Sequence, residues 1–295
     1  MKGIIVSIAS RQSKVLVDGK YFICEARGNI KKTFNPLVGD VVDIEIIDEL
    51  TKHALITNIY PRKNELYRPK IANLDQVLIV TSVKEPELAT YILNKYIWML
   101  EIMKIKPVLI FTKLDLITSD DQYIIDKISS YKKMGYEVFC IDNKKPDQII
   151  LDNLHQQLQN KVNVFTGQSG AGKSSTLNNF LNFEKQIKTQ EISMSLNRGK
   201  HTTTDIQLYP INGNILIADT PGFSSFELKS IEISDLLYNL KIFKNYINKC
   251  QFNDCKHLNE KKCQVKIAVE QKLIPHFIYN DYKKLVKELA TSKRG

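Results

Sequence analysis

The chain has 295 residues, 43% apolar and 25% charged, a globular composition too long for one typical domain and enough for two or three. No stretch reaches the ~20 apolar residues of a membrane helix. The five cysteines are too few and too clustered for a disulfide scaffold. The formal charge of +10 sits on the flanks. Residues 1–64 carry 10 Lys+Arg against 7 Asp+Glu, residues 65–225 carry 18 against 17, and residues 226–295 carry 14 against 8. Basic flanks suit a polyanion, most simply nucleic acid; a solvated lysine-rich surface is the plainer alternative. The opening MKGIIVSIASRQSK holds only a short apolar run, so no secretory leader is expected and the cytoplasm is the expected location.

Residues 1–64 hold five short alternating or β-branched runs: 3–9, 13–17, 21–26, 40–47 and 53–59. Turn residues separate them, and no helical period intervenes, so a five-stranded barrel of the OB type is expected. Arg27, Lys31 and Lys32 fall in one of its loops, where phosphate contacts would be useful. Cys24 and Cys140 stand alone in apolar stretches and read as buried structural thiols.

From residue 65 to 225 strand and helix alternate. Strands are expected over 76–82, 107–112, 137–141, 162–166, 206–211 and 214–219, with Asn212-Gly213 as a hairpin turn. Helices are expected over 88–103, 121–134, 146–159 and 173–181. The alternation predicts an α/β domain on a mostly parallel sheet. Residues 226–295 read as helices around a cysteine cluster, with helical patterns over 266–272 and 280–290 and a frayed tail from Ser292.

Two motifs inside the α/β region carry the chemistry. Gly167-Gln168-Ser169-Gly170-Ala171-Gly172-Lys173-Ser174 is a complete phosphate-binding loop between a predicted strand and a predicted helix. Its glycines let backbone amides point at phosphate oxygens, and the helix adds its positive end. Lys173 would reach the β- and γ-phosphates and Ser174 would ligand Mg²⁺. Thr112-Lys113-Leu114-Asp115 closes an earlier strand and has the form of a guanine-reading loop, with Thr in place of the commoner Asn. Asp115 would accept hydrogen bonds from the guanine N1–H and exocyclic amine. Adenine presents an acceptor there, a mismatch worth a discrimination of ~10⁴. The Lys113 stem would lie over the base. The guanine reader precedes the phosphate loop, the reverse of the ordinary order, so the region reads as a circularly permuted GTPase.

Asp219-Thr220-Pro221-Gly222 has the D-x-x-G form: Asp219 would stand behind the Mg²⁺ ligands, and the Gly222 amide would contact the γ-phosphate. In the polar run Arg198–Thr204, Thr203 is assigned to close over Mg²⁺ as a switch residue. Phe223 follows Gly222 where Ras-type enzymes have a water-orienting glutamine, so slow unaided hydrolysis is expected. His201 is the residue named to help position the water. Cys250, Cys255, His257 and Cys263 have the spacing C-x₄-C-x-H-x₅-C, a closed structural zinc site with no position left for catalysis.

In this order, with Arg68-Pro69, Ala72-Asn73-Leu74-Asp75 and Asp254-Cys255-Lys256-His257, these motifs make the chain resemble the RsgA (YjeQ) family of circularly permuted bacterial GTPases over almost its whole length. The resemblance implies a multidomain α/β protein. Its units would be an N-terminal OB-fold barrel over 1–64, a circularly permuted P-loop GTPase domain over 65–225 and a helical zinc-binding domain over 226–295. It implies GTP bound by Thr112–Asp115 and Gly167–Ser175, Mg²⁺ with the GTP on Ser174 and Thr203, and one structural zinc. It implies a cytoplasmic factor that assists late maturation of the small ribosomal subunit; no membrane partner is expected, and a monomer is the default expectation. That subunit's rRNA, GTP and GDP, and other assembly factors such as ribosome-binding factor A would be its partners, and the subunit would stimulate its slow hydrolysis. One departure stands out. The second base-contacting loop, of Ser-Ala type, is expected after residues 137–141, where the chain reads Cys140-Ile141-Asp142-Asn143.

Two other readings stay open on the residues. One is a nucleotide-stabilised RNA-binding scaffold in which hydrolysis is incidental, a reading Phe223 keeps open. The other is an ATP-using P-loop enzyme with an appended zinc finger.

Overall fold

Strands β1 (Lys2–Ala9), β2 (Gln12–Val17), β3 (Lys20–Ala26), β4 (Val41–Asp48) and β5 (His53–Ile59) close into a barrel of order β1-β2-β3-β5-β4. In this computed structural model the described residues are 1–10, 12–28, 35–66, 69–187, 206–211, 214–219 and 231–292, with backbone alone for 183–187, 219 and 292. Closure comes from the parallel pairing of β3 with β5 and the antiparallel pairing of β1 with β4. Alternation in each strand sends Ile5, Val15, Phe22, Cys24, Val42, Ile44 and Ile56 inward to a core of their own. The expected OB barrel is present, its strands within a residue of expectation.

A short ribbon, β6 (Glu65–Leu66) with β7 (Ile71–Ala72), leads to the α/β layer. Ala72–Asp75 is the seam between the two. Asn73 takes φ +58, and its amide donates to Gly39 O at 2.9 Å on the barrel side. Asp75 accepts from Val162 N at 2.8 Å on the sheet side. Arg62 clamps the same junction, donating to both carboxylate oxygens of the fully buried Asp40 at 2.7 and 2.9 Å.

The sheet has order β10-β9-β8-β11-β13-β12. Strands β8 (Gln76–Ser82), β9 (Lys106–Thr112), β10 (Glu137–Ile141), β11 (Lys161–Gly167) and β13 (Ile215–Asp219) are mutually parallel, and β12 (Tyr209–Ile211) is an antiparallel edge. Helices α1 (Thr90–Ile102), α2 (Gln122–Lys133) and α3 (Gln148–Leu158) make the crossovers. Asp147 caps α3, its carboxylate accepting from Ile149 N at 2.8 Å. Helix α4 (Lys173–Ile187) follows β11. Connections run outward from β8 to β10 and then return to β11, so the strand order reverses between β8 and β11. Ligands in open α/β sheets bind at that crevice, beyond the carboxyl ends of the strands.

The expected strand over 206–211 is shortened because Leu208 is drawn away from the sheet: its amide donates to Val6 O of the barrel at 2.8 Å, and both residues are fully buried. Cys24 is buried as expected. Cys140 corrects the expectation, since its outward position on edge strand β10 leaves it only half-buried.

The C-terminal unit adds α5 (Ile233–Asn239), α6 (Gln264–Glu270) and α7 (His276–Ser292). It shares one continuous core with α1 and that face of the sheet, where Trp98, Phe243, Tyr282 and Leu285 meet. Trp98 and Tyr282 pack edge to face at 6.3 Å. Lys95 pairs with Glu288 at 2.6 Å, and Asn94 donates to Asp281 at 2.7 Å. Among the described residues no helix is long and apolar enough to cross a membrane.

Candidate nucleotide and metal sites

β11 is buried throughout its last six residues and ends at Gly167, so the loop to α4 emerges at the carboxyl edge of the sheet. Gly170 and Gly172 hold φ +77 and +86, a region side chains rarely enter. At Gly172 a β-carbon would also come within 2.9 Å of Asn143 Nδ2. The turn leaves Ser169, Gly170, Ser174 and Ser175 exposed, Gln168 and Lys173 half-buried, and Ala171 in the core.

Thr112 ends β9 at the same edge and is fully buried. Its hydroxyl donates to Ala171 O at 2.5 Å, so the candidate base loop is hydrogen-bonded to the candidate phosphate loop. Lys113 follows with φ +58, and its ammonium donates to Glu85 O in the loop after β8. Leu114 is half-buried and Asp115 is exposed at the head of a short helical turn.

The loop after the third strand, β10, where a second base contact is expected but no Ser-Ala type segment stands, reaches the same edge. Asp142 accepts from Lys144 N at 2.8 Å, which folds the chain back over the site. Lys144 Nζ then meets Asp115 Oδ2 at 2.5 Å. Hydrogen-bonded to this ammonium, the Asp115 carboxyl is held below the usual carboxylate range. Asn143 turns the other way. Its amide exchanges hydrogen bonds with Thr176 Oγ1 at 3.1 Å, and Asn179 Nδ2 reaches Asn143 O at 3.0 Å. Loops after β9, β10 and β11 are thus stitched into one cluster. The available signal was positional: β10 lies beside β9 and ends at the same edge.

β13 pairs with β11 so that Asp219 stands opposite Phe165, which brings the start of the D-x-x-G segment to this edge. The side chain of Asp219, the segment Thr220-Pro221-Gly222, Phe223, and the run holding His201 and Thr203 lie outside the described residues, as do Lys31, Lys32, Arg68 and Asn212-Gly213.

The cysteine cluster forms a second site. Ligand atoms of Cys250, Cys255, His257 and Cys263 all lie within 4.8 Å of one another. His257 Nδ1 is 3.5, 3.4 and 3.4 Å from the sulfurs of Cys250, Cys255 and Cys263, and Cys250 Sγ is 3.9 Å from Cys263 Sγ. A tetrahedral zinc, with bonds of about 2.3 Å to sulfur and 2.0 Å to nitrogen, spaces its ligands by roughly 3.5–3.8 Å. The donor set fits. Burial lowers the His257 imidazole, which favours the neutral ring a metal needs, and raises the Cys255 thiol, so a bound zinc would have to displace its proton. Behind the cluster, Tyr279 donates to His257 O at 2.8 Å and Tyr282 to Lys256 O at 2.7 Å, tying the loop to α7.

Residues 59–229 match the RsgA GTPase family and residues 2–54 the RsgA N-terminal domain. A small ribosomal subunit biogenesis GTPase RsgA 2 from Oceanobacillus iheyensis is 40% identical over 99% of this chain and 98% of its own. A small ribosomal subunit biogenesis GTPase RsgA from Mesomycoplasma hyopneumoniae is 40% identical over 84% of this chain and 82% of its own. Among solved structures, YloQ, described as a circularly permuted GTPase, superposes with TM-score 0.82 at 32% identity, covering 99% of this chain and 95% of that one. YjeQ from Thermotoga maritima gives 0.82 at 32%, with 98% of each chain covered. The reversed order of the candidate base loop and candidate phosphate loop agrees with the circular permutation by which YloQ is described, and the chain belongs to the RsgA family of GTPases.

Proposed function

We propose that this chain hydrolyses GTP in the maturation of the small ribosomal subunit, slowly alone and faster on that subunit. The observation that carries the reading is the convergence of three loops at one sheet edge, sealed by the Thr112 hydroxyl on Ala171 O. Asp115 reads the guanine N1–H and exocyclic amine, and Thr112–Leu114 shape the base pocket. Backbone amides of Gly167–Gly172 hold the phosphates, with Lys173 on the β- and γ-phosphates and Ser175 closing the first turn of α4. Mg²⁺ would be held by Ser174 and Thr203, with Asp219 behind it, and would neutralise charge on the transferred phosphoryl group. Gly222 contacts the γ-phosphate. With Phe223 in the water-orienting position, a group from the subunit, or His201, completes the site. Such completion is worth ~10³–10⁵ in rate where a partner supplies it.

Zinc held by Cys250, Cys255, His257 and Cys263 has a structural role here, since four protein donors leave no open position. We place the three units at 1–64, 65–225 and 226–295, with the barrel and the basic C-terminal unit facing rRNA. The protein acts in the cytoplasm as a monomer, alongside other assembly factors such as ribosome-binding factor A.

The test is GTP turnover by the purified chain titrated with small ribosomal subunits. A rise of at least a hundredfold, abolished in Lys173→Ala, is expected. Turnover indifferent to the subunit would favour the scaffold reading, and equal affinity for ATP and GTP would sink the guanine assignment.

A further inference from the structure

A groove of about 490 Å³ runs between the end of α2 and the C-terminal unit. It lies where α2 hands over to β10, at the opposite end of the sheet from the nucleotide edge. Lys133, Lys241, Lys272 and His276 line it, and among the described residues no carboxylate does. The ammonium groups of Lys133 and Lys272 have no partner among the described residues. Lys241 is held in place, its ammonium donating to Gly135 O at 2.5 Å and lying 5.0 Å over the Tyr136 ring. The turn after α6 is fixed by Lys272 N on Val269 O at 3.0 Å and Leu273 N on Ala268 O at 2.9 Å, with Lys272 at φ +59. Beside these cations sit the half-buried Tyr246 and Leu273, which is 65% exposed.

We propose that this groove binds single-stranded RNA, with Lys133, Lys241 and Lys272 on successive phosphates and an unstacked base against Tyr246 and Leu273. Cations interleaved with an aromatic and an apolar surface match the backbone and bases of an unpaired strand. An acidic peptide would satisfy the charges but has no planar group to place on Tyr246. The surrounding residues 226–295, with 14 Lys+Arg against 8 Asp+Glu, extend the attraction. This inference rests on the reading that the chain works on rRNA, and it names the surface that would do so.

The experiment compares the full chain with a Lys133→Ala, Lys272→Gly double variant; glycine keeps the left-handed turn and removes the charge. Binding to isolated small ribosomal subunits and to a fluorescent single-stranded uridine oligonucleotide is measured from about 50 to 200 mM salt. The variant should bind both roughly tenfold more weakly at low salt. Its slope of log affinity against log salt should shrink by about 1.4, at ~0.7 per lost phosphate contact. GTP affinity and zinc content should stay at wild-type values. Unchanged slopes on both probes would overturn the proposal, as would a loss seen only with a polyglutamate peptide. A wild-type chain that ignores the subunit, yet binds the oligonucleotide with the expected loss in the variant, would refute the ribosomal reading and leave the groove standing.

Discussion

Around His257, three of the four candidate ligands are buried and two tyrosine hydroxyls lock the loop from behind. Around Asp115 the side chain is 25% exposed and its partner is a lysine, with a side chain 74% exposed, on a different loop. The first region is assembled once with the fold. The second is held by a few hydrogen bonds between loop ends, as a site that must take up and release a nucleotide requires. Burial of the functional groups separates a structural site from an exchange site before any ligand is considered.

The hardest way to break that contrast is to strip the metal. Cys263→Ser, or a chelator, should abolish zinc binding and cost several kcal/mol, roughly ten degrees or more in Tm. Trp98, the only tryptophan, packs against Tyr282 and reports the event: its emission should shift to the red as the C-terminal unit leaves α1. GTP affinity should fall far less, because no ligand of the cluster touches the nucleotide edge. Equal losses at both sites would show that one cooperative unit spans them.

The next effect belongs to the exchange site. Asp115→Asn keeps the shape but replaces one acceptor oxygen with a donor amide. GTP affinity should drop by ~10²–10⁴ while ATP affinity stays low and unchanged, as isothermal titration would read. Loss of less than threefold would remove Asp115 from base recognition.

A pH titration probes the packing of the C-terminal unit against the sheet. Glu101 is half-buried there, accepting from Tyr136 Oη at 2.8 Å and Lys241 N at 3.1 Å. Burial outweighs these hydrogen bonds and pushes its carboxyl up to about 7. A carboxyl raised on folding makes the folded state bind more protons, so stability falls as pH rises from about 4.5 to about 7. Glu101→Gln keeps an acceptor and removes the charge. It should gain roughly 1–3 kcal/mol at pH 8 and flatten stability across that window, measured by urea unfolding. An unchanged pH slope would place the ionisation elsewhere.

How much was legible follows from where each signal lives. β8 and β10 were bounded to the residue because an apolar run and a period are local. The phosphate loop and the cysteine cluster were legible because their donors lie within a few residues. Helix α5 was not separately placed: it is seven residues long, its capping box joins Glu232 to Asp235, and only Leu236 is fully buried, so packing defines it. Asn143 and Lys144 were missed because their partners stand 29 to 36 residues away in the chain. Leu208 left its expected strand for a barrel carbonyl that no local pattern announces.

The smallest effect tests the departure at Thr112, where the commoner residue is Asn. A β-branched residue suits the end of a buried strand, and the hydroxyl still offers a donor, which it spends on Ala171 O. Thr112→Val keeps the branch and the volume but leaves that carbonyl unpaired. The expected loss is about 1 kcal/mol, a three- to tenfold weakening of GTP with guanine preference intact. Thr112→Asn, restoring the commoner group, should recover most of it. Were Thr112→Val silent while Asp115→Asn is not, the two loops would be positioned by the sheet alone, and the hydrogen bond between them would be a consequence of the fold rather than a part of the site.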